Sequence, residues 1–552
     1  MTKLETAIRK HTLDNAIKYE GKANRGSVIG KIIAEYPKEN KQQLIKNVQT
    51  IINDINSKTL AEQIKLAQKE FPELFEKKEH IEEERVLPAL PNVKKNVVMR
   101  FAPYPSGPLH IGNARPALLN DEYVKKHKGK LLLVIDDTIG SEEKNIEPDA
   151  YNLIPEGLQW LGVNYDNNII YKSDRLDIYY QYAEQLIDKG AAYVCTCPSE
   201  QLREKRAAGI ACGCRSQTLD ITKKAWQAMF TQPEGTAALR IKTDIQHPNP
   251  AFRDRVLFRI CEREHPKVGK KYRVWPMLEF SWAIDDYLLG ITHVIRGKEL
   301  MIESDMERFI WNIYGWQGPE LLHAGLLQFE GVKLSKSKSK QEVKSGTYTG
   351  WDDPRTWSLQ SLQRRGFKPA SIRTFILNFG MNQTEITVPI DALYSENRKA
   401  INNEANRYFL VETMKKVIIN SVPGKQTHAP LHPEDKQRGT RTLNLGKEYY
   451  VDDDIQPGKT YRLMHGFNFK DSNYISTDVD QQLKATMIHW LPVEEHLIKV
   501  TIVMDDGSIR HGFTEPGIMQ QEEGDIIQFE RKYFCSIDKK EKDHVTLWYL
   551  HR

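Results

Sequence analysis

The distribution of apolar residues predicts a parallel sheet in the middle of the chain. Val97–Met99 and Lys130–Ile135 are nearly continuous apolar runs, as expected of strands that are covered on both faces. A further strand is predicted at Thr292–Arg296. Between the first two strands, Leu109–Leu119 has apolar residues at helical spacing. Strands that alternate with helices in this way favour an α/β fold.

The regions on either side have different patterns. Residues 1–90 are rich in lysine and glutamate with helical spacing, which predicts a helical N-terminal region, either a simple appendage or a docking module for another macromolecule. Residues 345–400 predict a helical connecting region. In residues 401–552, short strands alternate with Gly, Pro and Asp turns, a texture that favours β-barrels.

Composition sets broad limits on this picture. The chain has 552 residues, of which 40% are hydrophobic and 28% charged, enough for several globular domains. The formal net charge of +5 is too small to indicate a nucleic-acid partner by itself. No stretch approaches about 18 consecutive apolar residues, and the N-terminus lacks a secretory pattern. We therefore expect a cytoplasmic protein without membrane spans.

Four of the six cysteines form a cluster in the sequence. They are Cys195, Cys197, Cys212 and Cys214. In a cytosolic protein, two close pairs of thiols favour a metal over disulfides, and zinc is the metal that such a set best suits. Because Cys-x-Cys pairs are less diagnostic than Cys-x-x-Cys pairs, four free thiols remain the alternative.

Two loops carry candidate chemistry. After the first strand, three prolines and one glycine fix a stiff turn that leads through His110 into a helix, and a helix N-terminus of this kind favours phosphate. The second, Gly331–Lys340, combines small residues with alternate lysines and is predicted to be a loop. Taken alone, the first is equally typical of an ordinary strand-to-helix turn, and the second is most often a solvated surface loop.

Together, these loops resemble the two signatures of class I aminoacyl-tRNA synthetases, His-Ile-Gly-His and Lys-Met-Ser-Lys-Ser. Here they stand as His110-Ile-Gly-Asn113 and Lys333-Leu-Ser-Lys-Ser337. Four further segments resemble the archaeal and eukaryotic type of glutamyl-tRNA synthetase. These segments are Arg100-Phe-Ala-Pro103, Ile135-Asp-Asp-Thr138, Gly290–Lys298 and Gly350–Thr356. The resemblance extends from near the N-terminus to the end of the chain.

The resemblance implies a multidomain α/β plus β architecture. A Rossmann-like catalytic domain would comprise residues 96–190 and 276–344, the second part including the lysine-rich loop. An insertion at residues 191–275 would hold the acceptor end of tRNA and can carry a zinc-binding knob. The β-barrels of residues 401–552 would read the anticodon.

The resemblance also implies a site and its ligands. ATP, with Mg²⁺, would be bound by His110, Gly112, Asn113, Lys333, Ser335 and Lys336. Of these, the residues expected to act in catalysis are His110, Lys333 and Lys336. Arg100, Asp136 and Arg296 would bind L-glutamate. Asp136, at the end of a parallel strand, is expected to contact the ammonium group of the substrate.

The resemblance makes Arg296 the residue that bears most on amino-acid choice. In the family's glutamate enzymes an arginine here reaches the side-chain carboxylate, which a guanidinium fork suits, whereas the glutamine enzymes have an uncharged residue. The expected activity is glutamylation of tRNA-Glu, with tRNA-Gln as a second candidate, by a monomer. One alternative is a glutaminyl-tRNA synthetase, and another is a non-catalytic scaffold descended from a synthetase. The chain departs from the family pattern at Asn113, Tyr104, Val134 and Leu278.

Overall fold

The computed structural model describes residues 3–18, 21–36, 41–74, 87–94, 96–141, 145–332, 334, 336–493 and 496–552. Packing divides the chain into two compact units, Met1–Glu84 and Arg85–Arg552. Within the described residues, no helix is long and apolar enough to cross a membrane.

The first unit is helical in its described part. Its helices are α1 (Lys3–Lys18), α2 (Arg25–Glu35), α3 (Lys41–Asn56) and α4 (Leu60–Glu70). Side-chain caps explain two of the helix starts: Asn24 accepts from the amide of Ser27, and Thr59 forms a capping box with Glu62. The apolar faces meet in one core, whose members include Ile8, Leu13, Val28, Ile32, Val48, Ile52 and Ile55.

The second unit begins with alternating strands and helices, as the apolar pattern predicts. They are β1 (Val98–Phe101), α5 (Ile111–Lys126), β2 (Lys130–Ile135), α6 (Ala150–Trp160), β3 (Ile170–Tyr171) and α7 (Leu176–Asp188). Alternate side chains of β2 enter two different cores: Leu131 and Leu133 enter one, and Leu132 and Val134 the other. This two-sided burial is why the strand needs a continuous apolar run.

An antiparallel sheet follows, in the segment where an insertion is expected. Its elements are β4 (Ala192–Cys195), α8 (Ser199–Ala207), α9 (Leu219–Met229), β5 (Ala238–Ile241), β6 (Val256–Ile260) and β7 (Val274–Pro276). The four strands pair in sequence order. The side chains of β4 and β5 pack with α7 and α9 in the second of the two cores.

The parallel sheet then resumes. The next elements are α10 (Leu278–Leu288), β8 (His293–Gly297), α11 (Met301–Tyr314), β9 (Glu320–Ala324) and β10 (Leu327–Glu330). The strand order is β3-β2-β1-β8-β9, and all neighbours are parallel. The direction of winding reverses between β1 and β8, and the carboxyl ends of strands at such a point form a ligand crevice in α/β proteins.

The connecting region corrects one prediction. Its elements are α12 (Lys336–Lys344), α13 (Leu359–Arg365), α14 (Pro369–Leu377), β11 (Ile386–Pro389) and α15 (Ile390–Ile401). The predicted loop over Gly331–Lys340 is wrong from Lys336 onward, because α12 begins there. The sequence of α12 is mostly lysine, glutamine and glutamate, which are good helix formers on an exposed face.

The remainder of the chain consists mostly of β-strands. They are β12 (Asn406–Tyr408), β13 (Leu410–Val411), β14 (Lys415–Ile418), β15 (Gln426–Pro430), β16 (Thr440–Asn444), β17 (Glu448–Val451), β18 (Thr460–Leu463), β19 (Asn468–Lys470), β20 (Asn473–Ser476), β21 (Thr486–Ile488), β22 (Leu491–Pro492), β23 (Ile498–Val503), β24 (Ile509–Thr514), β25 (Ile526–Phe529), β26 (Tyr533–Glu541) and β27 (His544–His551). Each β region has its own apolar core.

One of these sheets closes on itself. Its order is β12-β25-β26-β27-β23-β24-β13, so its two edge strands, β12 and β13, are consecutive pieces of one chain segment. They are separated only by Phe409, whose side chain enters the neighbouring core while Tyr408 and Leu410 stay in this one. A sheet whose edges are joined in this way is barrel-like. Strands β14 to β22 surround the neighbouring core.

Candidate active site

The turn between β1 and α5 is held in shape by its own side chains. His110 directly precedes α5, and its Nδ1 atom accepts a 3.1 Å hydrogen bond from the amide of Gly112. The Oδ1 atom of Asn113 accepts a 3.3 Å hydrogen bond from the amide of His110 and completes a capping box. Since Nδ1 is an acceptor, a neutral His110 carries its proton on Nε2 and donates from that atom.

The two signature segments meet at Gly112. A Cβ atom on this residue would lie 3.0 Å from Cε1 of His110 and 3.2 Å from Cδ1 of Leu334. A larger residue would therefore displace the histidine ring or Leu334. Because Leu334 belongs to the lysine-rich segment, the structure brings that segment beside the turn that carries His110.

The lysine-rich segment is described in part. Among its predicted site residues, those outside the described part of the chain are Lys333, Ser335 and the side chain of Lys336. Further along α12, Nζ of Lys340 lies 2.7 Å from Oε2 of Glu147. The amide of Glu147 donates a 2.8 Å hydrogen bond to the carbonyl of Pro105. An ion pair thus connects the basic helix α12 to the turn between β1 and α5.

The segment before α13 packs along the same turn. The amide of Ile111 donates to the carbonyl of Trp357 at 3.2 Å, and the amide of Leu359 donates to the carbonyl of Leu109 at 2.8 Å. These bonds give the backbone on both sides of His110 a second point of attachment. The Gly350–Thr356 motif, which immediately precedes Trp357, is therefore part of the support of this site.

At the carboxyl end of β1, Arg100 contacts a buried carboxylate. Its Nε and Nη2 atoms donate to the two carboxylate oxygens of Asp286 in α10, the second at 2.9 Å. Both side chains are buried. Burial disfavours the guanidinium charge, but the Asp286 carboxylate outweighs this effect and raises the pKa of Arg100. The site therefore keeps a permanent cation here.

Arg296 forms a similar pair at the carboxyl end of β8. Its Nη1 and Nη2 atoms donate to Glu307 at 2.7 and 3.0 Å, and Nη2 also donates to Oγ of Ser304 at 2.7 Å. Burial raises the pKa of the Glu307 carboxyl, and Arg296 opposes this shift. Among the described residues, Nε of Arg296 has no hydrogen-bond partner. The three hydrogen bonds to Glu307 and Ser304 use three of the five N–H groups of the guanidinium, so Nε–H is a donor that an incoming acceptor could use.

Asp136 lies just beyond the end of β2. Its Oδ1 atom accepts a 3.1 Å hydrogen bond from Oγ1 of Thr138, and its Oδ2 atom lies 3.2 Å from Nζ of Lys172. Its amide donates to the carbonyl of Pro103 at 3.1 Å. Asp136 is thereby tied to the same turn that carries His110.

The structure gathers the three residues predicted to bind the amino acid. Arg100, Asp136 and Arg296 come from the ends of the neighbouring strands β1, β2 and β8. The Arg100 and Arg296 guanidinium groups lie 5.0 and 4.9 Å from the ring centroid of Trp282, which is 6% exposed. A cation over an indole face is a favourable arrangement. Trp282 therefore contacts both guanidinium groups of the site, and we call its indole ring the platform.

The cysteine cluster is compact in three dimensions. The Sγ atoms of Cys195 and Cys212 are 3.9 Å apart, and those of Cys197 and Cys214 are 3.7 Å apart. The four sulfur atoms all lie within 4.8 Å of one another, far from the roughly 2 Å of a disulfide bond. Tetrahedral zinc with bonds of about 2.3 Å to sulfur requires sulfur–sulfur distances of about 3.8 Å. The donor set and its spacing therefore fit zinc.

Comparison with known proteins decides the family. Residues 96–403 match the tRNA synthetases class I (E and Q), catalytic domain. The chain belongs to this family. Residues 405–488 and 487–538 match the two anti-codon binding domains of the same class I group. The predicted family and the predicted architecture, a class I catalytic domain followed by β-rich anticodon-binding domains, are thereby confirmed.

The similarity to individual synthetases extends over the whole chain. The Glutamate--tRNA ligase of Methanocaldococcus jannaschii is 41% identical over 562 aligned residues, which cover 100% of both chains. That of Methanobrevibacter smithii is 40% identical with the same coverage. A crystal structure of a glutamate tRNA ligase from Elizabethkingia meningosepticum aligns with 56% of this chain and 71% of its own, at 21% identity and a TM-score of 0.42.

Sequence reasoning missed the partners of the synthetase's charged residues. It did not single out Asp286, Glu307, Lys172 or Trp282 as parts of the site. A signal existed for the two carboxylates, because Asp286 interrupts the apolar segment of α10 and Glu307 lies among apolar residues of α11. A charge on an otherwise apolar helix face is rarely left unpaired. No comparable signal marked Lys172.

Proposed function

We propose that this synthetase ligates L-glutamate to tRNA-Glu at the expense of ATP, with tRNA-Gln as a second candidate acceptor. The observation that carries the proposal is the buried Arg296, whose Nε–H has no partner among the described residues. A glutamate side chain brings the carboxylate that such a donor prefers. The full-length relatives that are named glutamate–tRNA ligases support the same choice.

The reaction has two steps. An oxygen of the glutamate α-carboxylate attacks the α-phosphorus of ATP, and pyrophosphate leaves with the electron pair of the broken P–O bond. A hydroxyl of the terminal ribose of tRNA then attacks the carbonyl carbon of the adenylate, and AMP leaves. Catalysis of this kind depends mainly on positioning and on stabilising charge as it develops.

In the ATP site, His110 would donate from Nε2 to the phosphates, and the N-terminus of α5 would add the positive end of its helix dipole. Lys333 and Lys336 would neutralise the charge that develops on pyrophosphate, with Ser335 between them. Mg²⁺ would supply further positive charge to the phosphates. Asn113 would act chiefly through its cap on His110, and Gly112 would keep the backbone close to the nucleotide.

In the amino-acid site, Asp136 would accept from the substrate ammonium group. Arg100 would contribute to binding the amino acid. Arg296 would donate to the side-chain carboxylate. Offered glutamine, the same N–H would meet an uncharged amide, whose oxygen is a weaker acceptor than a carboxylate and whose NH₂ group accepts nothing. We therefore expect glutamine to be bound less well.

The four cysteines would hold one structural zinc ion in the insertion. Their spacing supports this assignment, and four sulfur ligands leave no open coordination position. Zinc binding would order the segments that carry Cys197 and Cys214, because these segments have few apolar neighbours to hold them in place.

Aminoacylation of purified tRNA-Glu and tRNA-Gln, each with glutamate and with glutamine, tests the proposal. We expect charging of tRNA-Glu with glutamate and a much lower kcat/KM with glutamine. Preference for glutamine would identify a glutaminyl-tRNA synthetase. Absence of charging with every pair, in protein that retains its native melting transition, would favour the non-catalytic scaffold.

A further inference from the structure

A buried lysine already contacts the carboxylate assigned to the substrate ammonium group. Lys172 is the first residue of a short 3-10 helix, Lys172–Arg175, that follows β3. Its side chain is fully buried, and its Nζ atom lies 3.2 Å from Oδ2 of Asp136. The same atom donates a 2.8 Å hydrogen bond to Oγ of Ser281. The function proposed above assigns no role to this lysine.

Lys172 completes a balanced set of charges. Its Nζ atom lies 5.2 Å from the ring centroid of Trp282, the indole that also carries two guanidinium groups. Three cations therefore surround one platform, and three carboxylates pair with them one to one. The pairs are Arg100 with Asp286, Lys172 with Asp136, and Arg296 with Glu307. Within this set, no carboxylate is left over for the ammonium group of a substrate.

We infer that the side-chain ammonium group of Lys172 occupies the position at which the ammonium group of the substrate binds. When the amino acid enters, Asp136 must exchange its contact with Lys172 for a contact with the substrate. This inference rests on the proposed function, because it takes Asp136 as the contact of the substrate ammonium group. Lys172 is accordingly a positioning residue that sets the affinity for the amino acid. It takes no part in the reacting bonds.

The surroundings of Lys172 fit such an exchange. Burial lowers the pKa of Lys172, and Asp136 only partly opposes this shift. Asp285 of α10 attracts the lysine and Arg100 of β1 repels it. When Asp136 turns to the substrate, Ser281 remains as a hydrogen-bond partner for Nζ. The bound state therefore leaves the lysine nitrogen with a partner whether or not it keeps its charge.

The exchange predicts a gain in affinity when the lysine is removed. In Lys172→Met, the substrate ammonium group no longer enters beside a like charge, and the KM for L-glutamate should fall about tenfold or more. The kcat should not rise. The measurement is steady-state aminoacylation with saturating tRNA and ATP. Lys172→Gln, which keeps a hydrogen-bonding side chain but no charge, serves the same test if the methionine variant folds poorly.

A matched control is a surface lysine that pairs with a residue of the same short helix. Lys267 pairs with Asp174, which lies two residues after Lys172, but it is on the surface. Lys267→Met removes a lysine of this neighbourhood without touching the amino-acid site, and it should leave the KM for glutamate unchanged. A fall in KM that appears in both lysine variants would show a general charge effect and overturn the inference.

Thermal melting gives a second readout. Without substrate, Lys172→Met leaves the Asp136 carboxylate buried and unpaired, so its Tm should be lower than that of the wild type. Saturating L-glutamate should restore more of the Tm in the variant than it adds to the wild type. An unchanged or raised KM in both Lys172 variants would overturn the inference while leaving the proposed function intact. Failure of the wild type to use glutamate would instead overturn the proposed function.

Discussion

The pair of Arg296 and Glu307 offers a sharp test of how this synthetase chooses its amino acid. Arg296→Gln removes the hydrogen bonds of 2.7, 3.0 and 2.7 Å that join the guanidinium to Glu307 and Ser304. It also leaves Glu307, whose side chain is fully buried, without its counter-ion. The single variant therefore combines a loss of substrate contact with a loss of stability.

The loss of stability can be estimated and then separated. Removing one partner of a buried ion pair costs about 3–5 kcal/mol, whereas replacing both partners is often close to neutral. The double variant Arg296→Gln/Glu307→Gln should thus recover most of the free energy of unfolding that the single variant loses. The penalty in Arg296→Gln should also depend on pH. Burial raises the pKa of the Glu307 carboxyl, so the penalty is absent in acid and grows as pH rises toward neutrality.

The deciding assay is the ratio of kcat/KM for glutamate to that for glutamine, measured in the double variant with saturating tRNA. Glutamate should lose about 10²-fold or more in kcat/KM, the scale of a lost charge-assisted contact in a buried site. Glutamine makes no such contact and should lose far less. The ratio of kcat/KM for glutamate to that for glutamine, which can reach about 10⁴ in a site of this type, should therefore be smaller in the double variant than in the wild type.

A control pair separates specificity from general damage. Arg255, in the insertion, donates to the buried Glu279 of α10 at 2.8 Å and to Glu303 of α11 at 3.1 Å, and so provides a second arginine–glutamate contact. Arg255→Gln/Glu279→Gln should leave the amino-acid preference unchanged. Equal losses for glutamate and glutamine in the Arg296/Glu307 double variant, at restored stability, would refute the reasoning. Arg296 would then be a support of the fold, and specificity would lie elsewhere.

Three further outcomes follow from the site and the cluster. Elemental analysis should find one zinc per chain, and Cys212→Ser should lose it; four freely titrating thiols in metal-free wild type would contradict the site. Lys336→Ala should lower kcat by about 10²-fold with little change in ATP binding, and a wild-type single-turnover rate of adenylate formation would refute that role. Asn113→Ala should lower the free energy of unfolding by about 0.5–2 kcal/mol, as the loss of a helix cap does, and an unchanged denaturation midpoint would exclude the cap.

The backbone of the site could be predicted because its signals are local. Strands β1 and β2 are apolar runs that enter cores on both faces, and the turn before α5 is fixed by proline and by the His110 cap. The repeated turn residues likewise predicted the barrel-like sheets. Each of these features is determined by a few consecutive residues, so the periodicity of apolar residues and the turn residues are sufficient to predict them.

The pairing of charges could not be predicted in the same way. Arg100 and Asp286 are 186 residues apart in sequence, and nothing in either segment specifies the other. Arg296 and Glu307 are only 11 residues apart, but they meet because β8 and α11 pack in the same core. The helix α12 was missed for a different reason: the small residues and alternate lysines of Gly331–Lys340 indicated a loop, while local helix propensity favoured a helix.

The balance of charges around Trp282 changes what kind of selectivity is expected. Because each guanidinium already has a carboxylate partner, the site presents little excess positive charge to attract an acidic side chain from a distance. We expect discrimination to depend on the N–H groups of Arg296 that are not used by Glu307 and Ser304, because they bind a carboxylate oxygen more strongly than the neutral amide oxygen of glutamine. Such a contact is short-ranged and buried, so salt screens it little. The double variant Arg296→Gln/Glu307→Gln keeps the net charge of the site but removes these N–H donors. A fall in the ratio of kcat/KM for glutamate to that for glutamine in this variant would therefore indicate recognition by a hydrogen bond, and an unchanged ratio would indicate recognition by net charge.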